Sequence, residues 1–312
     1  MKKSKLISVV TPCYNEEQNI ELIYYEVKKI FNSLKNYRYE HIFIDNKSKD
    51  STLLILKKIA KSDKNIKIIV NSRNFGHIRS PYYALMQTSG DAAISIVADL
   101  QDPPSMINDF ILKWEEGYKI VVGVKNKSEE SKIIFAIRKL YYNLIGRLSE
   151  VEQIKNFTGF GLYDKTIIDI LRTFNDPYPY LRGLICDIGF EKAIIKFKQP
   201  VRKSGITKNN FYTLYDMAMT GITSHSKIPL RMATFTGVII SFLSLFVGFG
   251  YLIYKLLYWD RFELGIAPLV IGIFFFSSVQ LLFIGIIGEY IGSIHTNIIN
   301  RPLVIEKERI NF

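Results

Sequence analysis

The chain has 312 residues, with 41 Lys and Arg against 29 Asp and Glu, a formal net charge of +12. That excess forms no aromatic-interleaved basic array, so it points away from nucleic acid and toward anionic headgroups or phosphorylated molecules. Two distant cysteines, Cys13 and Cys186, exclude a disulfide framework and a cysteine metal site and read as small buried residues.

The opening Met-Lys-Lys-Ser-Lys runs directly into an apolar strand over residues 6–10. That apolar stretch is short and is interrupted at Asn15-Glu16-Glu17, so no cleaved signal peptide is expected. Helical periodicity over 17–34 leads to a second strand at 41–44, ending at Asp45. A helix over 51–60, a strand over 66–70, a helix over 80–88 and a strand over 92–97 continue the alternation. Four strands separated by helices predict an α/β fold with a mostly parallel, doubly wound sheet. Ligands of such sheets bind beyond the carboxyl ends of the strands.

The fourth strand carries the most informative segment, Ile-Ser-Ile-Val-Ala-Asp-Leu-Gln-Asp-Pro-Pro at 94–104. Val97 is expected to close a buried strand, Asp99 and Gln101 to alternate on one side of its extended exit, and Pro103-Pro104 to set up the next helix. Oxygen ligands on a rigid strand end suit Mg²⁺ or Mn²⁺ carrying phosphate oxygens. The plainer reading is that Asp99 and Asp102 cap the following helix. The other exits are as polar: Pro12-Cys13-Tyr14-Asn15-Glu16, Asp45-Asn46-Lys47-Ser48 and Ser72-Arg73-Asn74-Phe75-Gly76. All four are expected to line one crevice, with Asp45 suited to a base or ribose and Lys47 or Arg73 to phosphate. The first strand is followed by neither a dinucleotide fingerprint nor a Walker loop.

Toward the other end, Phe211, Leu214, Tyr215, Ala218 and Ile222 recur at helical spacing, as in an amphipathic helix at a membrane interface or one facing a core. Residues 232–254 and 264–287 are almost wholly apolar, and each is long enough to cross a hydrocarbon core of about 30 Å. They read as an antiparallel transmembrane hairpin, with Tyr251, Tyr254, Tyr258 and Trp259 as an aromatic belt and Glu289 snorkelling or capping at the exit. Lys203, Lys208, Lys227 and Arg231 precede the hairpin and Arg301, Lys307 and Arg309 follow it, while its loop region holds Lys255 and Arg261. The positive-inside tendency then puts both termini in the cytoplasm. The expected organisation is a cytoplasmic domain over 1–208, an interface helix and linker over 209–230, the hairpin over 231–290 and a tail over 291–312.

The ordered motifs Pro12-Cys13-Tyr14-Asn15-Glu16, Asp45-Asn46-Lys47-Ser48-Lys49-Asp50-Ser51-Thr52, Ser72-Arg73-Asn74-Phe75-Gly76 and Asp99-Leu100-Gln101-Asp102-Pro103-Pro104 resemble those of family-two glycosyltransferases. With Leu181-Arg182-Gly183, the stretch 202–208, Gly288-Glu289-Tyr290 and Asn300-Arg301-Pro302-Leu303, the resemblance covers nearly the whole chain. It is strongest to the polyisoprenyl-phosphate branch, which includes dolichol-phosphate mannose synthases and bactoprenol glucosyltransferases. The resemblance implies a GT-A fold, a nucleotide-sugar donor with UDP-hexose favoured, Mg²⁺ or Mn²⁺, an undecaprenyl- or dolichyl-phosphate acceptor, a membrane location and a homo-oligomer. By position, Asp99 and Gln101 would ligate the metal, and Asp99 would also lie near the donor diphosphate. Pro12, Tyr14, Asn15, Glu16, Asp45, Asn46, Ser48 and Arg73 would surround the donor. Arg202, Thr207 and Lys208, in a Gly-containing loop, and the basic set Lys125, Arg138 and Lys139 would serve the acceptor phosphate; Arg202 and Lys208 join Asp99 in the expected catalytic set.

The chain departs from the family pattern at three places. Val97 and Gly159 stand where acidic residues are common, and Asp45-Asn46 replaces a pair of aspartates. Metal binding then rests on Asp99, Gln101 and the donor's own oxygens. Two other classes stay open: a processive polysaccharide synthase, disfavoured by only two spans and no Gln-x-x-Arg-Trp segment, and a non-catalytic membrane scaffold or sugar-nucleotide sensor.

Overall fold

The computed structural model describes residues 4–126, 154–200, 228–258, 266–299 and 301–312. The first half alternates as the hydrophobic pattern requires: β1 (Lys5–Cys13), α1 (Ile20–Ser33), β2 (Tyr37–Asp45), α2 (Thr52–Ser62), β3 (Ile66–Asn71), α3 (Gly76–Met86), β4 (Ala92–Ser95) and α4 (Met106–Glu115). Then come β5 (Ile120–Lys125), β6 (Phe157–Asp164), α5 (Lys165–Thr173), α6 (Leu181–Asp187) and β7 (Lys192–Phe197). Two long helices, α7 (Ile228–Leu257) and α8 (Ile266–Ile299), precede a last strand, β8 (Glu306–Ile310).

The strands form one sheet in the order β7-β5-β6-β4-β1-β2-β3-β8. Strands β1 to β4 are mutually parallel, so their carboxyl ends share one edge of the sheet. Strand β6 runs antiparallel to both β4 and β5, and β8 antiparallel to β3, which makes the sheet mixed. Each strand offers alternate side chains to opposite faces. On β1 and β2, Ile7, Val9 and Phe43 join Ile20, Leu56 and Phe110 in one core layer. Val10, Ile42 and Ile44 join Tyr82, Leu85, Ile167 and Leu184 in the other. Helices on both faces explain why the parallel strands read as continuous apolar runs.

Around the strand exits, three expectations shift. Helix α3 begins at Gly76, one turn before the expected 80, because Gly76 at φ 86° supplies the turn that starts it. Strand β4 ends at Ser95, so Val97 does not close a buried strand and is 37% exposed. The segment beyond it is a turn rather than an extended exit, with Leu100 in the left-handed region at φ 59°.

Helices α7 and α8 contain stretches, Leu230–Gly250 and Gly272–His295, long and apolar enough to cross a membrane. Their apolar side chains point outward, as at Phe246 and Phe274, both about 70% exposed; a soluble core helix would bury them. The rings of Tyr254 and Tyr258 stand 5.2 Å apart at the end of α7. Helix α8 runs to Ile299, well past the expected end at 287. The tail beyond it is docked on the sheet: Ser72 N–H donates to Ile305 O at 2.9 Å, Tyr83 Oη to Glu306 at 2.9 Å, and Asn311 Nδ2 to Ala60 O and Ile66 O. Residues 300–305 join α8 to β8, and a chain of that length spans no more than about 20–25 Å. It enters beside Asn71, at the carboxyl end of β3.

Candidate active site at the carboxyl ends of the strands

The first two exits are sewn together by their own polar side chains. Asn15 N–H donates to Ser48 Oγ at 3.0 Å, Lys49 N–H to Asn15 Oδ1 at 2.7 Å, and Glu16 N–H to Thr52 Oγ1 at 2.8 Å. Asn46 N–H donates to Cys13 O at 2.9 Å. Asn15 and Lys47 hold left-handed backbones at φ 55° and 65°. With Leu100 they place three strained non-glycine residues on three neighbouring strand exits, a concentration typical of functional sites. Pro12 continues β1 opposite Ile44, and Tyr14 follows half-buried.

Asp45 is buried, and its carboxylate accepts the Ser48 N–H at 3.2 Å. Loss of hydration raises its pKa, and the Ser48 bonds offset part of that rise. Burial, with the nearby Asp45, Glu16 and Asp50 carboxylates, also pushes the Cys13 thiol well up, as an inert buried cysteine requires.

Asn46 is engaged by the protein itself. Its Oδ1 accepts from Asn71 Nδ2 at 3.0 Å and Phe75 N–H at 2.9 Å, and its Nδ2 donates to Asn74 Oδ1 at 2.9 Å and Gly76 O at 3.1 Å. Those four bonds exhaust a carboxamide. Asn46 therefore frames the wall from Ser72 to Gly76 from behind, and an aspartate there would lose both donors. Arg73 lies on this wall, its guanidinium 4.1 Å from the Phe75 ring and bonded to Asn74 O at 3.1 Å.

At the β4 exit, Asp99 is 7% exposed and its Oδ1 accepts the Gln101 N–H at 3.1 Å. The N-cap of α4 is Ser105, which sets aside the reading of Asp99 and Asp102 as its caps. Met106 and Ile107 instead donate to the carbonyls of Pro103 and Pro104. Asp102 is 3% exposed, and its carboxyl is pushed up to about 7, first by burial and also by the Asp99 charge. Lys125, Arg182 and the Val97 N–H act in the opposite sense. These effects bring Asp99, Asp102, Lys125 and Arg182 into one electrostatic neighbourhood.

No group of three or more His, Cys, Asp or Glu side chains able to hold a metal occurs among the described residues. Asp99 and Gln101 offer hard oxygen donors of the kind that suits Mg²⁺ or Mn²⁺ when further oxygens come from a ligand. Gly159 lies on β6 at the same end of the sheet, with φ 98° and its carbonyl accepting from Tyr163 Oη at 2.9 Å. A side chain there would be strained whatever the space around it. Arg138, Lys139, Arg202, Thr207 and Lys208, with most of the expected interface helix, lie outside the described residues. Sequence reasoning passed over Arg79, in the first turn of α3, and gave no role to Arg182. An earlier helix start, signalled by Phe75-Gly76, would have put Arg79 at the crevice end.

Residues 8–169 match the family model described as Glycosyl transferase family 2. The chain belongs to that family. An uncharacterized glycosyltransferase of Synechocystis is 35% identical over 300 residues, covering 96% of this chain and 94% of the relative. A prophage-derived bactoprenol glucosyl transferase of Shigella flexneri is 32% identical and covers 97% of both chains. The family 2 domain has a GT-A-like fold. A glucosyl-3-phosphoglycerate synthase of Mycobacterium tuberculosis, solved with Mn²⁺, UDP and phosphoglyceric acid, superposes with a TM-score of 0.50 at 18% identity, over 70% of this chain and 76% of that one. The chain is a glycosyltransferase.

Proposed function

We propose that this enzyme transfers one sugar from a nucleoside-diphosphate donor, UDP-hexose foremost, to a polyprenyl phosphate at the cytoplasmic face of the membrane. The observation that carries the reading is the likeness to bactoprenol glucosyl transferases along the whole length, apolar helices and tail included. The short tether between α8 and β8 supports it, since it keeps the crevice rim near the end of a long apolar helix. The positive residues flanking the hairpin favour cytoplasmic termini.

In this reading Tyr14, Glu16 and Asp45 surround the nucleoside, and Asn46 holds the adjoining wall. Asp99 and Gln101 would hold Mg²⁺ or Mn²⁺, which when bound supplies positive charge to the departing diphosphate. The acceptor phosphate is already an anion, so its oxygen attacks the anomeric carbon in line, the bond to the nucleoside diphosphate breaks, and the configuration inverts. No strong general base is needed; the residues position two anions against their mutual repulsion. Lys125 and the basic residues at 138, 139, 202 and 208 supply cations for the acceptor, with Thr207 as a hydroxyl donor.

The test is transfer by purified protein in detergent with undecaprenyl phosphate, Mg²⁺ or Mn²⁺, and a panel of radiolabelled UDP-, GDP- and CDP-sugars. A chelator-sensitive lipid product carrying a single sugar is expected. Nucleotide binding without product would favour a sensor, for which Val97 and Gly159 in place of acids are the supporting observation. A polymeric product would favour a processive synthase.

A further inference from the structure

Several cations elsewhere in the described fold are paired. Lys28 pairs with Asp63 at 2.9 Å, Lys67 with Glu40 at 2.5 Å and Lys119 with Asp164 at 3.1 Å. Arg172 bonds to Asp169 and to the carbonyls of Met86 and Thr88. Arg79 and Arg182 behave differently. Both are half-buried, and the Arg79 Nε is buried with no hydrogen-bond partner. Each guanidinium instead lies near a tyrosine ring: Arg79 at 5.3 Å from Tyr178 and Arg182 at 5.9 Å from Tyr180. A ring face steadies a guanidinium plane without using its N–H donors. The buried, unpaired Nε of Arg79 incurs a cost that an oxyanion would remove.

The fold brings both to the crevice. Arg79 is in the first turn of α3, directly after the β3 exit, and Arg182 is in the first turn of α6. The preceding Leu181 reaches within 3.9 Å of where a Cβ on Gly159 would stand. The tyrosines that carry the two guanidiniums are two residues apart on the connection between α5 and α6. Glycine at 159 puts no carboxylate there, and the carboxylate that acts on Arg182, Asp102, also answers to Lys125.

We propose that Arg79 and Arg182 form a two-guanidinium site that binds one phosphate group of the reactants. The identity of those reactants rests on the transfer reading above: the phosphate is either the acceptor's monoester or part of the donor's diphosphate. The test is binding, and so stands apart from turnover. Full-length protein in detergent with a chelator, to silence the metal site, is titrated with inorganic pyrophosphate and with a short-chain polyprenyl phosphate. Wild type, Arg79→Gln, Arg182→Gln and the remote control Lys57→Gln are compared by thermal shift.

Wild type and the control are expected to bind at least one probe, and each arginine variant to bind it about tenfold or more weaker. Loss confined to the polyprenyl phosphate assigns the site to the acceptor; loss confined to pyrophosphate assigns it to the donor. Affinity for both probes unchanged in folded variants, or no binding of either by wild type, overturns the proposal. Should a Gln variant melt early, the corresponding Lys variant is read instead. It keeps the charge but loses the bidentate fork, and is expected to weaken binding roughly threefold or more; unchanged affinity there also overturns it.

Discussion

The two ends of the sheet carry the same kinds of side chain and treat them oppositely. At the amino ends, charges are closed. Glu40 is 4% exposed yet accepts from Ser8 Oγ at 2.5 Å, Ser89 N–H at 2.9 Å and Lys67 Nζ at 2.5 Å. These bonds hold its carboxyl below the usual range against the pull of burial. Asp164 likewise takes Trp114 Nε1 at 2.7 Å and Thr166 N–H at 2.9 Å. Gly90 packs so tightly that a Cβ would stand 2.6 Å from Ser8 Oγ. At the carboxyl ends, Asn15, Lys47 and Leu100 are strained, Asp102 is raised to about 7, and Arg79 keeps a buried Nε without a partner. The difference separates what holds the fold from what awaits a ligand: stability given up at one end is supplied by the other.

The contrast can be broken most sharply at Glu40. Glu40→Ala leaves Ser8, Ser89 and Lys67 without their partner and is expected to cost about 3 kcal/mol or more, lowering the melting temperature by roughly 10 °C. Thermal denaturation checks this, and donor affinity should hold in the fraction that stays folded. His41 is next. Fully buried, it is held neutral, its pKa lowered to about 3 from 6.5 chiefly by burial, with Nε2 2.8 Å from Thr11 Oγ1. Between those values the unfolded chain takes up a proton that the folded chain refuses. This contribution is therefore complete above pH 6.5 and is lost as pH falls toward 3, by up to about 1.4 kcal/mol per pH unit. Acid unfolding of His41→Gln should be correspondingly shallower.

Asn46→Asp sharpens the other side. It sets a carboxylate against Gly76 O and Asn74 Oδ1, so a loss of about 1–2 kcal/mol is expected, with a donor KM raised several-fold and an acceptor KM unchanged. Smallest is Val97→Asp: the site is exposed, so stability should stay within about 0.5 kcal/mol, while metal affinity, measured by Mn²⁺ titration, tightens if the added carboxylate reaches the ion.

The parallel half of the fold was legible because strands buried on both faces read as unbroken apolar runs, and the four polar exits followed from the direction of those strands. The rest was hidden for physical reasons. Strand β8, Glu-Lys-Glu-Arg-Ile, is an edge strand whose charges suit an exposed edge and conceal a strand signal. Strand β6 carries Gly159 and Gly161, and glycine weakens strand propensity; Gly161 is needed because a Cβ would stand 2.4 Å from Val121 O. Leucine gives no hint of a left-handed turn, so the bend at Leu100, and with it the exposure of Val97, was invisible. Asn46 was expected at the nucleoside by resemblance; its engagement with Asn71, Asn74 and Phe75 depends on contacts 25 to 29 residues apart.

The most direct measurement is the rate of sugar transfer to undecaprenyl phosphate by Asp99→Ala, set beside its melting temperature, with the donor and metal that wild type uses. If the carboxyl-end crevice performs the chemistry, transfer falls by about a thousandfold or more while the melting temperature stays within about 2 °C of wild type. A folded variant that keeps its rate to within about tenfold would contradict the assignment.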